Sequence, residues 1–278
     1  MGRRLSVAAL DGIGDWDVPT AAAAVVGPDG IVEVHGPTDQ PVPLASVTKL
    51  LTAVAVHIAV EEGTVGLDDA AAGGPPGATV RHLLAHASGL PPDGDRTPLG
   101  PPERKRIYSN VGFDVLGDHL STRSGMAANQ YIRAALVDPL SLAATTVQGS
   151  PAHGSSSSVE DLAAVLVALR AGRLLAPATI DAMTAPAYPD LAGVLPGYGP
   201  QDPNPWGLGV EVRGAKHPHW TAPGNSERTW GHFGRSGTFV WWDPAADLGL
   251  VVLTDRDFGP WAVEAWPALA SVVLAEHG

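Results

Sequence analysis

Strand-forming residues crowd the two ends of this chain and helix-forming ones fill its middle, an order that limits its possible folds more than any other feature. Ala21–Val26 and Ile31–His35 are short apolar segments joined by Gly27-Pro28-Asp29-Gly30, the pattern of a hairpin. After residue 205 the β-branched and aromatic runs return, as Trp206–Val212, Trp230–Trp242 and Leu248–Thr254, with a turn at Asp243–Asp247. Between the two groups, Val47–Val60 is apolar on nearly every face and stops near Gly63, which predicts a helix buried all round. Further helices are predicted over Thr79–His86, Gly112–Thr122, Ala127–Leu136, Val159–Ala171 and Pro177–Met183. Ser158 and Asp161 resemble a capping box at the head of the fourth of these. Ala262–His277 reads as a closing helix, with its first turn left open by Pro267. The expectation is a sheet domain made from residues 1–75 and 190–278, with a helical insert at 76–189 that begins by the breaker cluster Gly73–Gly77. Residues 91–106 form a long loop rich in proline and charge.

Composition removes several classes of function. With 278 residues, 45% of them hydrophobic, the chain can bury a substantial core and is neither disordered nor membrane-spanning in composition. A net charge of −12 repels phosphate backbones and anionic lipid, so nucleic acid and membrane surfaces are not expected partners. The one local basic cluster, Arg104-Lys105-Arg106, reads as a solvated loop face. No cysteine is present, which removes disulfides, thiolate catalysis and Cys-based zinc sites. The apolar run after Arg3-Arg4 is only Leu5–Leu10, shorter than a signal-peptide core, and Met1-Gly2 with Ser6 is a loose match to a myristoylation pattern. A soluble cytoplasmic protein is therefore the simplest expectation.

Three elements carry chemistry. Ser46-Val47-Thr48-Lys49 opens the long apolar helix. A serine there is ordinarily a helix cap. The spacing of three, however, puts Lys49 on the same face, with Cβ atoms about 5–6 Å apart. The apolar residues that follow would desolvate its ammonium, which favours the neutral amine, a base able to take a hydroxyl proton. The helix start also offers N–H groups and partial positive charge to an oxyanion. Tyr108-Ser109-Asn110 sits between the charged loop and the next helix. A phenol beside a lysine cation is expected to have a lowered pKa and to shuttle protons, while Asn110 can hold the lysine or a substrate carbonyl. Third, Trp230-Gly231-His232-Phe233-Gly234-Arg235-Ser236-Gly237 precedes a strongly β segment, its glycines allowing close approach of a substrate backbone.

Taken in order, Ser-x-x-Lys, Tyr-Ser-Asn and His-x-Gly resemble the class C β-lactamase-like serine hydrolases, which include penicillin-binding DD-peptidases, esterases and D-aminopeptidases. Leu83–Leu90 resembles the family's Leu-Leu-x-His-x-Ser-Gly-Leu signature, and Tyr108–Gly117, Asp138-Pro139-Leu140 and Gly231–Thr254 also look familial, so the likeness covers roughly residues 20–275. The resemblance implies an α/β antiparallel sheet flanked by helices plus an all-α insert, with the active-site cleft between them. It implies Ser46 as nucleophile, Lys49 with Tyr108 as the proton-handling pair, and Asn110 and Gly234 within the site. His232 would stand where relatives carry the lysine of Lys-Thr-Gly, and the backbone N–H groups of Ser46 and Arg235 would form the oxyanion hole. Arg235-Ser236-Gly237 is an alternative register for that third motif. Phe233 stands where threonine often sits, which removes a hydroxyl that could bind a carboxylate and favours an uncharged acyl substrate.

The expected activity is thus hydrolysis of small esters or amides through an acyl-enzyme, esterase-like first, with β-lactamase or D-Ala-D-Ala peptidase activity as the alternative on the same site. A non-catalytic binding protein on this scaffold is the alternative of another class. The partner would be a small-molecule ester, amide or β-lactam; no cofactor or metal is implied. His82 and His86 have the i, i+4 spacing of metal ligands but lack the Glu of a His-Glu-x-x-His pattern. His57 reads as a satisfied core histidine, His217 and His219 as solvated, and Trp206, Trp220, Trp230, Trp241 and Trp242 as core or cleft wall.

Overall fold

Pro28-Asp29 turns β1 (Ala21–Gly27) back onto β2 (Gly30–His35), pairing Ala24 with Val34 and Gly27 with Gly30, as the glycine-flanked turn predicts. In this computed structural model, which describes residues 8–278, β1 then pairs antiparallel with β10 (Leu248–Thr254), Ala21 opposite Thr254. The sheet continues through β9 (Thr238–Asp243), β8 (Trp230–Gly234) and β7 (Glu211–Val212), giving the order β2-β1-β10-β9-β8-β7. First and last strand segments of the chain therefore lie side by side. The N-terminal patterns at Arg3-Arg4 and at Met1-Gly2 with Ser6 fall outside the described residues.

Both faces of the sheet are covered, and the side-chain alternation of its strands divides them. Ala22, Ala24, Val26, Val240, Trp242, Val251 and Leu253 face the core built with the helices of the chain's middle. Ala23, Val25, Phe239, Trp241, Leu250 and Val252 face a second core closed by α7 (Pro260–His277). On the first side α1 (Thr48–Glu61) is buried at Thr48–His57 and again at Ala59, the all-round burial that its apolar sequence demands. α5 (Val159–Arg170), capped by Ser158 accepting from Asp161 N–H, packs its Leu162 and Leu166 stripe on β1 and β10. Each such fully buried leucine or valine stabilises the fold by about 1.5–3 kcal/mol.

The remaining elements surround this frame. α2 (Val80–Leu84), α3 (Asn110–Ser124), α4 (Ala128–Ile132, continued by a π turn over Arg133–Val137) and α6 (Pro177–Thr184) match the expected helices to within a turn. Two-residue strands β3 (Val42–Pro43) and β4 (Ser156–Ser157) pair with each other, as do β5 (Gly193–Leu195) and β6 (Gly199–Gln201). No helix among the described residues is long and apolar enough to cross a membrane.

Two strand expectations are revised. Trp230–Trp242 is not one strand, because Gly237, at φ +76°, turns the chain between β8 and β9. Only Glu211–Val212 of the Trp206–Val212 run joins the sheet; Gly209, at φ +106°, bends the rest against α1, where a Cβ would lie 2.2 Å from that of Ala53.

Candidate active site

Ser46 lies on a 3-10 turn, Ala45–Val47, that enters α1, and neither that turn nor α1 has a side-chain cap bond. The serine is thus not the helix cap its position suggests. Ala45 before it has φ +46°, a left-handed conformation that costs a non-glycine residue of order 1–3 kcal/mol and persists only where surrounding contacts enforce it. Those contacts come from both flanks. Thr238 Oγ1 donates to Leu44 O at 2.9 Å and Ser236 Oγ to Pro43 O at 2.7 Å, while Leu44 N–H donates to Ser155 O at 2.9 Å. Gly234 abuts the same turn: a Cβ there would sit 2.4 Å from Leu44 O and 3.2 Å from Ser46 N.

One helical turn on, the Lys49 side chain is fully buried. Its Nζ donates to Asn110 Oδ1 at 2.6 Å and to Ala152 O at 2.9 Å, and lies 3.5 Å from Ser46 Oγ. Burial pushes its pKa down to about 7, although Asp114 and Asp93 pull upward. A neutral amine has two N–H groups and one lone pair. With both N–H groups committed to Asn110 and Ala152, the lone pair is left for the Ser46 hydroxyl.

Tyr108 presents its ring 4.7 Å from Lys49 Nζ. Burial raises its phenol above the ordinary range, and a hydrogen bond with Ser46 only partly offsets that. The expected lowering of the Tyr108 pKa is therefore reversed: the lysine, not the phenol, has the shifted group that can accept a proton near neutrality. Asn110 heads α3, where Ser109 Oγ caps Gly112 N–H at 2.8 Å, and its Nδ2 donates to Asp93 Oδ1 at 2.8 Å. The 91–106 loop thus reaches the site through Asp93, and Pro92 O accepts from Asn110 N–H.

His232, on β8, is buried with its ring 5.8 Å from that of Tyr108. Its Nδ1–H donates to Phe233 O at 2.8 Å, and burial together with Lys49 holds it neutral, with its pKa down at about 3. Phe233 packs against Phe258 and Trp266, at centroid distances of 5.1 and 5.8 Å. The Arg235 side chain is 87% exposed and lies 3.5 Å from Asp257. His232-Phe233-Gly234 runs along the strand beside Ser46, whereas Arg235-Ser236-Gly237 makes the β8–β9 turn.

Several residues behave differently from their sequence reading. Arg104 and Lys105 are solvated, but Arg106 is 1% exposed. Its guanidinium donates to Ala85 O (2.5 Å), Asn204 O (3.0 Å), Ala187 O (2.8 Å) and Tyr188 O (2.8 Å), and burial lowers its pKa to about 10. His217 is exposed as expected, but His219 is buried and meets Glu211 at 2.8 Å. Burial would raise the Glu211 carboxyl, yet Lys216 and His219 outweigh it and hold it at about 2. His57 Nε2 meets Leu208 O at 2.9 Å, in the core as read. His82 faces Thr79 and Glu103, and His86 packs on Tyr108 at 4.7 Å and accepts from Ser109 N–H at 3.1 Å, so the pair does not converge on a common point for a metal. Of the five tryptophans read as core or cleft wall, Trp206 lies beside Tyr108 and His232, and Trp220, Trp230, Trp241 and Trp242 lie in the two cores.

A family model described as Beta-lactamase matches residues 10–274 of the chain. A crystal structure described as a beta-lactamase from Mycobacterium bovis is 50% identical, covers 97% of this chain and 99% of its own, and superposes with a TM-score of 0.94. EstCE1, described as a hydrolase with promiscuous acyltransferase activity, shares the fold at TM-score 0.75 and 18% identity, covering 96% of each chain. The D-alanyl-D-alanine-carboxypeptidase/endopeptidase AmpH of Escherichia coli is 30% identical over 41% of this chain; the match spans only 38% of that relative's length.

Proposed function

The chain belongs to the Beta-lactamase family, and on that footing we propose that it is a serine acyl hydrolase working through a covalent ester on Ser46. The observation that carries this reading is the Lys49 amine, buried, down at about pKa 7, 3.5 Å from Ser46 Oγ and with its N–H groups held by Asn110 and Ala152. In the first step the neutral amine takes the serine proton as Oγ attacks the acyl carbonyl. The carbonyl oxygen, now an anion, rests against the backbone N–H groups of Ser46 and Arg235. Tyr108, protonated across the neutral range, hands its proton to the departing alkoxide or amine and is reprotonated through Lys49. Water then enters along the same route and releases the acid. Ser46 and Lys49 come from residues 1–75, Tyr108 and Asn110 from 76–189, and His232 from 190–278, so the cleft is assigned to the place where the sheet domain meets the helical insert.

Small esters or amides without a carboxylate next to β8 are the substrates assigned first. The strand offers a neutral imidazole and a phenylalanine where a cation and a hydroxyl would be needed to bind one. A β-lactam or D-Ala peptide is the second reading, supported by the exposed Arg235 side chain at the end of β8, which could meet a carboxylate from solvent. Incubation with a fluorophosphonate, read by intact mass, tests the nucleophile: one adduct per chain is expected on the wild type and none on Ser46→Ala. No adduct on the wild type, or an undiminished one on the variant, ends the proposal. A panel of p-nitrophenyl esters, a chromogenic cephalosporin and D-Ala peptides then ranks the substrates.

A further inference from the structure

Two buried cations that take no part in the chemistry above converge on one short segment. Arg106 donates through Nε to Asn204 O at 3.0 Å. Lys216, its side chain wholly buried, donates to Asn204 Oδ1 at 3.3 Å, to Pro205 O at 3.0 Å and to Glu211 Oε1 at 2.6 Å. The next residue is Trp206, which bridges to Glu211 across the bend at Gly207–Val210, where Gly207 N–H donates to Val210 O at 2.9 Å. Lys216 thus fastens both ends of the loop that carries Trp206. Arg106 ties that loop to the segment bearing Tyr108, two residues further along the chain.

The Trp206 ring is the hub of the aromatic group behind the site. It lies 5.6 Å from Tyr108, 5.6 Å from His232 and 4.7 Å from His86, the last edge-on. The backbone on both sides of Tyr108 is tied to His86, Ile107 N–H donating to its carbonyl oxygen and Ser109 N–H to its Nδ1. We propose that Arg106 and Lys216 are positioning residues: they fix Trp206 as the back wall that sets the angle of the Tyr108 phenol toward Ser46 and Lys49. A desolvated lysine is held here on one backbone carbonyl, one side-chain amide oxygen and one carboxylate at considerable cost in solvation, which a leucine or methionine would avoid. That cost is intelligible if the cation's reach across the loop is what the site needs.

This inference rests on the Ser46 reading, and its test separates the two. Lys216→Met leaves Glu211 with its His219 and Trp220 donors at 2.8 and 2.7 Å, so the carboxylate stays partnered. Lys216→Met and Trp206→Leu should each lower kcat on a p-nitrophenyl ester by about 10- to 100-fold, as misplacement of a catalytic group by about 1 Å does, with KM changed less than about twofold. The double variant should be no worse than Trp206→Leu alone, because both act through one wall. Trp206→Phe should recover most of the rate. Wild-type kcat in Trp206→Leu, or losses that multiply in the double variant, would overturn the proposal. If Lys216→Met does not fold, Arg106→Met takes its place, alone and combined with Trp206→Leu, with the same expected and overturning results. A wild type that takes no fluorophosphonate removes the Ser46 reading and this one with it. A labelled wild type whose Trp206 variants keep its rate removes only the clamp.

Discussion

On the proposed reading, Lys49 is where burial most directly becomes reactivity. Its pKa near 7 means that kcat/KM should climb with unit slope as pH rises toward about 7 and then level off, the neutral amine being the active form. Because burial keeps Tyr108 above its usual range, no descending limb should appear below pH 10. A profile that falls between pH 7 and 9 would contradict the assignment of base and acid. The same shift makes a stability statement. In the unfolded chain the lysine keeps its proton to about pH 10.5, and in the folded chain only to about 7, so the unfolded state binds more protons between those values and stability rises with pH across that window. Lys49→Met should therefore raise Tm most below pH 7, with the advantage fading toward pH 10.5, while abolishing turnover. Thermal melts of both proteins at pH 6 and 9.5 measure this, and an equal offset at the two pH values would refute it.

At the scale of elements, the proposed site depends on how closely β8 lies along the Ser46 turn, and Gly234 sets that spacing. Gly234→Ala places a methyl group 2.4 Å from Leu44 O, a backbone atom that cannot swing aside. The strand or the turn must move, taking the Arg235 and Ser46 N–H groups out of alignment. Loss of one such donor costs about 10²–10³ in kcat. Acylation of Gly234→Ala by a p-nitrophenyl ester, followed by stopped flow, should be slowed by that order while far-UV circular dichroism stays unchanged; a loss under fivefold would mean that β8 does not help to bind the oxyanion. The Ser-x-x-Lys spacing, the apolar helix behind it and the two glycine-flanked strands were all legible along the chain because each is a local pattern. What could not be read is what the elements do to one another. Nothing near Trp206–Val212 announces that Gly209 must pass against Ala53, so a strand-like composition folded as a bend. The Tyr108 pKa is missed for a related reason: the adjacent lysine is foreseeable, but the burial of the phenol itself, which raises its pKa, comes from packing that the local sequence does not show.

For the whole molecule, the division of the sheet into two buried faces separates stability from chemistry. The second core, under α7, lies across the sheet from α1 and the Ser46 turn. Arg106 by contrast joins Ala85, Ala187, Tyr188 and Asn204, distant in sequence, on the side of the site, a role that three consecutive basic residues in a charged loop gave no reason to expect. Leu269→Ala, on α7, removes a side chain 5% exposed and should cost about 2–5 kcal/mol. Arg106→Met leaves four carbonyl oxygens without this donor and should cost a comparable few kcal/mol, a buried acceptor left unsatisfied costing about 1–3 kcal/mol. Melting curves would then rank the two variants as near equals. Burst-phase acylation at a temperature where both are folded should not: Leu269→Ala is expected to keep the wild-type rate within about twofold, as surfaces across a sheet couple weakly, while Arg106→Met loses it about tenfold or more through the displaced Tyr108 and Trp206. Equal rates in the two variants would mean that the site tolerates disorder in its own supporting loops, and that the two faces of the sheet are not functionally distinct.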